Sequence, residues 1–127
     1  MPSQTIYAEI ATALQPYFDG LYDGDVEAMK RIFHPHCRLS SAADGIVSDL
    51  DIETYYARVK DRPSPRSLNQ PRYDAILGIL ASGEGAATAM LRTARAPRLY
   101  TDFLHLLRVD GRWQIIAKTY SWTAMPD

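Results

Sequence analysis

The chain has one cysteine among 127 residues, Cys37, so no internal disulfide can form. A lone thiol gives no reason to expect an oxidising compartment. No apolar run approaches the roughly 20 residues that a membrane helix needs. The first residues also lack a basic region followed by an apolar stretch. Charge of one sign is missing too: 14 Lys and Arg stand against 15 Asp and Glu, a formal net charge of −1. That balance offers no electrostatic ground for nucleic acid or an anionic membrane as partner. No glycine-rich phosphate loop, repeat or low-complexity tract is present, and no cofactor is expected. These absences point to a cytoplasmic protein with an ordinary globular balance, 46% hydrophobic and 23% charged residues. Its length fits one domain, residues 1–127, with a core of its own.

What is present begins with helical periodicity. The segment "SQTIYAEIATALQPYFDGLYDGD" carries Ile6, Ile10, Leu14, Tyr17 and Leu21 on one stripe, with Ser3 as a possible cap and Gly20 or Gly24 as a stop. Pro16 inside that pattern predicts a kink or a helix that restarts, because proline costs about 3 kcal/mol in a helix interior. A second helix, "DVEAMKRIF", starts beside Asp23 and Asp25 and must end before Pro35. A third, "DIETYYARVKDR", has Ile52, Tyr55, Tyr56 and Val59 on its stripe, a cap at Ser48 or Asp49, and a stop at Pro63.

Between the second and third helices a short hairpin is expected, turning at Asp44-Gly45. "RPSPRSLNQP" reads as loop. Two longer strands follow, "RYDAILGILAS" and "AATAMLRTARA", turning near Gly83-Glu84. The last hairpin is "YTDFLHLLRVDGRWQIIAKTYSW", with Asp110-Gly111 as its two-residue loop. Regular pairing from that loop sets Arg108 opposite Trp113, Leu106 opposite Ile115, Leu104 opposite Ala117 and Asp102 opposite Thr119. One face then holds Leu104, Leu106, Trp113, Ile115 and Ala117, with Asp102 and Thr119 at the far end. The other holds Phe103, His105, Leu107, Gln114, Ile116, Lys118 and Tyr120. The second face is too apolar for a solvated surface and suits a homodimer contact. The element order predicts an α+β fold, helices laid on one face of a strongly curved, mainly antiparallel sheet.

This order resembles the nuclear-transport-factor-2-like superfamily, and within it the branch named "Putative lumazine-binding". The likeness is carried by "YFDGLYDGD", by "FHPHCRL" shortly after, by the "DG" before the third helix, and by "YTDFLHLLRVDGRWQIIAKTY", which repeats the branch's closing pattern of Asp, Leu, Leu, Asp-Gly, Trp, Ile and Lys. The resemblance implies a cystatin-like cone, shared with polyketide cyclases and ketosteroid isomerases, whose interior pocket takes a small molecule. It does not choose a function, because the fold serves isomerases, cyclases, dehydratases, accessory subunits and plain binding modules.

Asp102 is the candidate catalytic residue, since enzymes of this superfamily work in the cone with a carboxylate or a His-Asp pair. Desolvation among apolar neighbours favours a neutral carboxyl group, as proton transfer next to a carbonyl can require. The plainer reading gives Asp102 hydrogen bonds that order the sheet. Tyr17 and Tyr55 are expected to line the pocket, together with Trp113 and Thr119 on the face of Asp102. Tyr22, Tyr56 and Tyr120 complete an aromatic set that suits core packing equally well. His34, His36 and Cys37 have poor metal spacing across Pro35, so no metal is expected, and the helix dipole accounts for His34. His105 falls on the strand face away from Asp102. Arg92, Arg95 and Arg98 suit either an anionic ligand at the mouth of the cone or a guarded sheet edge. The first expectation is a homodimer binding a largely apolar or aromatic small molecule. An enzyme using Asp102 as general acid or base, with Tyr17 or Tyr55 as donor, is the second. A bare association module is the third.

Overall fold

The structure, a computed structural model, describes residues 4–126. Helix α1, Gln4–Ala13, and helix α2, Gln15–Asp23, replace a single long first helix. The break falls where Pro16 predicts it. Proline sits in the first turn of α2, where its missing N–H is not needed and its fixed φ suits the helix. The expected cap at Ser3 lies outside the described residues. Gly24 ends α2 in the left-handed region, at φ 68°, and its N–H donates to the Gly20 carbonyl. Asp25 then caps α3, Val26–Met29, accepting from the Ala28 N–H at 3.2 Å.

Strands β1, Phe33–Ala43, and β2, Ile46–Asp51, form the small hairpin. Its turn has Asp44 at φ 52° and Gly45 at φ 77°, the two positive values that this loop requires. His34 therefore belongs to a strand and not to a helix end. Helix α4, Ile52–Asp61, is capped by Asp51 and not by Ser48 or Asp49, with the Thr54 N–H donating to Asp51 Oδ1 at 2.7 Å. Strands β3, Ala75–Ser82, β4, Ala86–Arg95, β5, Arg98–Val109, and β6, Arg112–Ala124, make the meander.

The six strands lie in the order β2-β1-β6-β5-β4-β3. All neighbours are antiparallel except β1 and β6, which run parallel. The sheet curves without closing, and the helices cover its concave face. Ile6, Ile10, Leu14 and Tyr17 from the first stripe meet Leu91, Leu104, Leu106 and Ile115 from the sheet in one buried apolar cluster.

One register differs from expectation, and it decides the site. Leu106 faces Ile115 as regular pairing requires, but a bulge follows, so His105 pairs with Ala117, Leu104 with Lys118 and Asp102 with Tyr120. The extra residue, Ile116, shifts all that follows it by one position, and a one-residue shift exchanges the faces. Lys118 and Tyr120 turn inward. Ala117 and Thr119 turn outward.

Candidate functional site

Asp102 sits on β5 between β4 and β6, with only 1% of its surface exposed. Its Oδ2 accepts from the Tyr17 hydroxyl at 2.6 Å and from Thr93 Oγ1 at 3.2 Å. Tyr17 reaches it because the restarted helix α2 sets the phenol on its first turn, held edge-on by Phe18 and Phe33. Thr93 comes from β4, two residues after Leu91, the direct partner of Asp102.

Lys118 Nζ lies 3.9 Å from the same Oδ2, an ion pair rather than a hydrogen bond. Its ammonium donates to the Tyr55 hydroxyl at 3.4 Å. It also lies 5.0 to 5.2 Å from the ring centres of Tyr17, Tyr55 and Tyr120. Three aromatic faces and a carboxylate thus surround a buried cation. Burial works against the ammonium, yet Asp102 and the neighbouring phenols outweigh it and hold the Lys118 pKa above its ordinary value. Burial, with Asp102 adding to it, drives the Tyr17 phenol well above its usual range. At neutral pH Tyr17 is therefore a hydrogen-bond donor and Lys118 a charged one.

Asp102 Oδ1 is buried and accepts from no donor among the described residues. A buried carboxylate oxygen without a partner is rare and costly. Asp102 and Lys118 belong to the wall of a cavity of about 290 Å³, near the lower end of the usual range for small-molecule sites. Tyr55, Tyr100, Tyr120 and Trp122 give it aromatic walls. Its mouth is marked by exposed residues, among them Ile46, Arg58 and Arg98.

The expected site residues are distributed unevenly around this centre. Tyr17 touches Asp102 directly but stands behind the cavity wall, and Tyr55 lines the cavity. Thr119 is exposed on the outer face of the sheet, a correction that follows from the bulge. Trp113 is buried elsewhere, beside a separate groove that Glu9, Thr12 and Arg108 border, so it does not reach the cone. His105 points outward, away from Asp102. His34 and His36 pack edge-on to each other, with the His36 N–H donating to His34 Nδ1 at 3.0 Å. No cluster of three potential metal ligands occurs among the described residues. Arg92 donates to the Tyr73 carbonyl at 2.9 Å and stays off the cavity, whereas Arg95 and Arg98 line it.

Sequence reasoning missed several contributors, among them Thr93, Tyr100, Trp122, Lys118 and Arg62. Lys118 was expected on the outer face, and the sign to read was the pair Ile115-Ile116, which interrupts the polar-apolar alternation. Arg62, in a stretch expected to be a solvated loop, is half-buried at the cavity wall.

The family model described as "Putative lumazine-binding" matches residues 6–121. The chain belongs to that family. Aldolase FrzH from Cladobotryum sp is 27% identical over 115 residues, covering 89% of this chain and 87% of the relative. An NTF2-like protein of unknown function from Shewanella baltica OS155 superposes with a TM-score of 0.85 at 24% identity, over 100% of this chain and 99% of its own. One from Silicibacter pomeroyi DSS-3 gives 0.84 at 20% identity, over 97% and 100%. A cystatin-like fold protein from Burkholderia xenovorans LB400 gives 0.69 at 22% identity, over 96% and 95%. These structural likenesses bear out the cone fold expected from the sequence. No helix among the described residues is long and apolar enough to cross a membrane.

Proposed function

We propose that the protein, acting as one domain over residues 1–127, binds a small polar-aromatic molecule in the cone, with Asp102 and Lys118 at the floor of the site. The observation that carries this is the unpartnered Oδ1 of Asp102, buried in the wall of a cavity beside a buried ammonium. Stability alone would favour apolar residues at both positions, since a buried ion pair seldom repays its desolvation. Tyr55 belongs to this site, and Tyr17 acts through its hydrogen bond to Asp102.

The test is a thermal-shift screen of aromatic ketones, pteridines and aromatic acids, followed by two variants. Ser48 is exposed at the mouth of the cavity. Ser48→Trp should leave the melting point near that of the parent and abolish the shifts. Asp102→Asn should melt lower, because Lys118 loses its counter-charge, and should change which compounds bind. Shifts that survive Ser48→Trp would remove the cone from consideration. An unchanged binding profile in Asp102→Asn would leave the carboxylate a purely structural group.

A second reading, an enzyme acting next to a carbonyl, draws on the same free oxygen and on the aldolase among the relatives. In it Asp102 Oδ1 takes a proton from the carbon beside a carbonyl, and the Lys118 ammonium stabilises the resulting enolate oxygen. A covalent imine at Lys118 fits less well, because the amine is held in its charged form.

We also propose a homodimer through the outer sheet face. Register brings Leu80, Met90, Phe103 and Leu107 to that face, and all four are exposed. Tyr120, expected there, belongs to the interior instead. A cytoplasmic setting suits the single buried thiol, Cys37.

A further inference from the structure

Eight of the eleven arginines fall into two groups, while Arg31, Arg92 and Arg112 neither line the cone nor have an ion-pair partner among the described residues. Arg38, Arg66, Arg72 and Arg108 each have a carboxylate within ion-pair distance, and each of those pairs lies at the surface. Arg58, Arg62, Arg95 and Arg98 all line the cone, and none has such a partner among the described residues. With Lys118 they set five cations against one lining carboxylate, Asp102, in a chain whose net charge is −1.

Three of these cations, Arg62, Arg95 and Arg98, lie near one another. Arg95 donates to the Tyr100 hydroxyl at 2.9 Å, and Arg98 reaches the same oxygen at 3.5 Å. Two guanidinium groups are thus gathered on one neutral phenol. The Arg98 guanidinium also lies 4.3 Å from the centre of the Trp122 ring, which leaves its edge donors free. Burial lowers the pKa of Arg62, and the nearby Arg95 charge lowers it further. Like charges held together in a cleft, without an anion of the protein between them, raise the local potential. The forked donors of arginine match a carboxylate in two parallel hydrogen bonds. The adjoining walls are aromatic: the Tyr100 ring lies 6.1 Å from both Tyr120 and Trp122, tilted against them by 54° and 49°.

We propose that the ligand is a compact aromatic carboxylate, its acid group held by Arg62, Arg95 and Arg98 and its ring set among Tyr100, Tyr120 and Trp122. This rests on the cone-binding reading and names the chemical class that the cone selects. Lys118 and Asp102 then meet the end of the molecule away from the acid.

Calorimetry with 2-naphthoate and its uncharged isostere 2-naphthamide tests it. The parent should bind the acid at least about tenfold more tightly than the amide, a difference near 1.4 kcal/mol, and the gap should shrink in high salt. Arg95→Gln with Arg98→Gln should bring the two compounds within about twofold, with circular dichroism unchanged. Arg62→Gln, made separately, should reduce the gap in the same direction. Equal binding of acid and amide by the parent would overturn the anion inference and leave cone binding intact. A preference for the acid that survives all three substitutions would also overturn it. Absence of binding by both compounds would overturn the aromatic-carboxylate class, while the thermal-shift screen with Ser48→Trp decides cone binding separately.

Discussion

Tyr17 and Asp102, 85 positions apart in the chain, share a buried hydrogen bond of 2.6 Å that ties the helical layer to the centre of the sheet. The phenol donates and the carboxylate accepts, and the burial of both raises the value of the bond. This contact fixes Asp102 through one oxygen and leaves the other unengaged.

Tyr17→Phe removes that donor without changing the ring. Thr93 remains on Oδ2 at 3.2 Å, so the carboxylate keeps one neutral partner. A loss of about 1–3 kcal/mol in unfolding free energy is expected, the usual cost of leaving a buried polar group short of a partner. Urea denaturation with an unchanged m-value measures it. A loss below a few tenths of a kcal/mol would show that Tyr17 does not anchor Asp102.

The pair formed by Asp102 and Lys118 makes a second prediction. Removing either charge strands the other in the core, so Asp102→Asn and Lys118→Met should each cost about 3–5 kcal/mol. The double variant leaves no stranded charge. Its cost should fall well below the sum of the two, as a double-mutant cycle on urea midpoints would record. Additive costs would mean that the 3.9 Å separation carries no coupling.

Much of this fold could be read from local chemistry. Asp44-Gly45 and Asp110-Gly111 gave both tight turns because aspartate and glycine tolerate positive φ, here 52° and 77° in one turn and 51° and 77° in the other. Pro16 marked the restart of the first helix because it cannot donate within one. The carboxylate on the inner face was legible from alternation along β5, which has no irregularity of its own in that stretch. The bulge at Ile116 left only one mark in the sequence, the adjacent pair Ile115-Ile116, since a bulge is favoured by how the sheet must curve around its neighbours. With it went Lys118, half of the charged centre, and Thr119, which left the interior. Arg62 was hidden for another reason. A loop of prolines, serines and charges looks solvated until tertiary packing sets one of its side chains against a cavity.

The outer face yields a third prediction, one of assembly. If Leu80, Met90, Phe103 and Leu107 meet a second copy, the parent should sediment as a dimer at about tens of micromolar. Leu107→Glu sets a charge in that patch and should give a monomer that still melts cooperatively. A parent that sediments as a monomer under those conditions would remove the dimer.

Alkaline pH supplies the final prediction. Burial pushes the Cys37 thiol up to about 12, and it raises Tyr17 well above the usual phenol range. Lys118 is raised as well, its desolvation outweighed chiefly by Asp102. In each case the folded chain holds a proton that the unfolded chain gives up at lower pH. Stability from all three is fully present below their unfolded values, near 8.5 for cysteine and about 10 for tyrosine and lysine. It is lost as pH rises through the folded values, because the unfolded state then binds fewer protons than the native one. The urea midpoint should therefore begin to fall near pH 9 and fall more steeply above about pH 10, where Tyr17 and Lys118 join. Cys37→Ala should lower stability by a nearly constant amount at neutral pH and abolish the earliest part of the decline. Urea titrations at half-unit steps from pH 7 to about pH 10.5 would reveal both slopes. An identical early slope in parent and variant would remove Cys37 as its source. A midpoint that stays level above pH 10 would contradict the raised values of Tyr17 and Lys118 together.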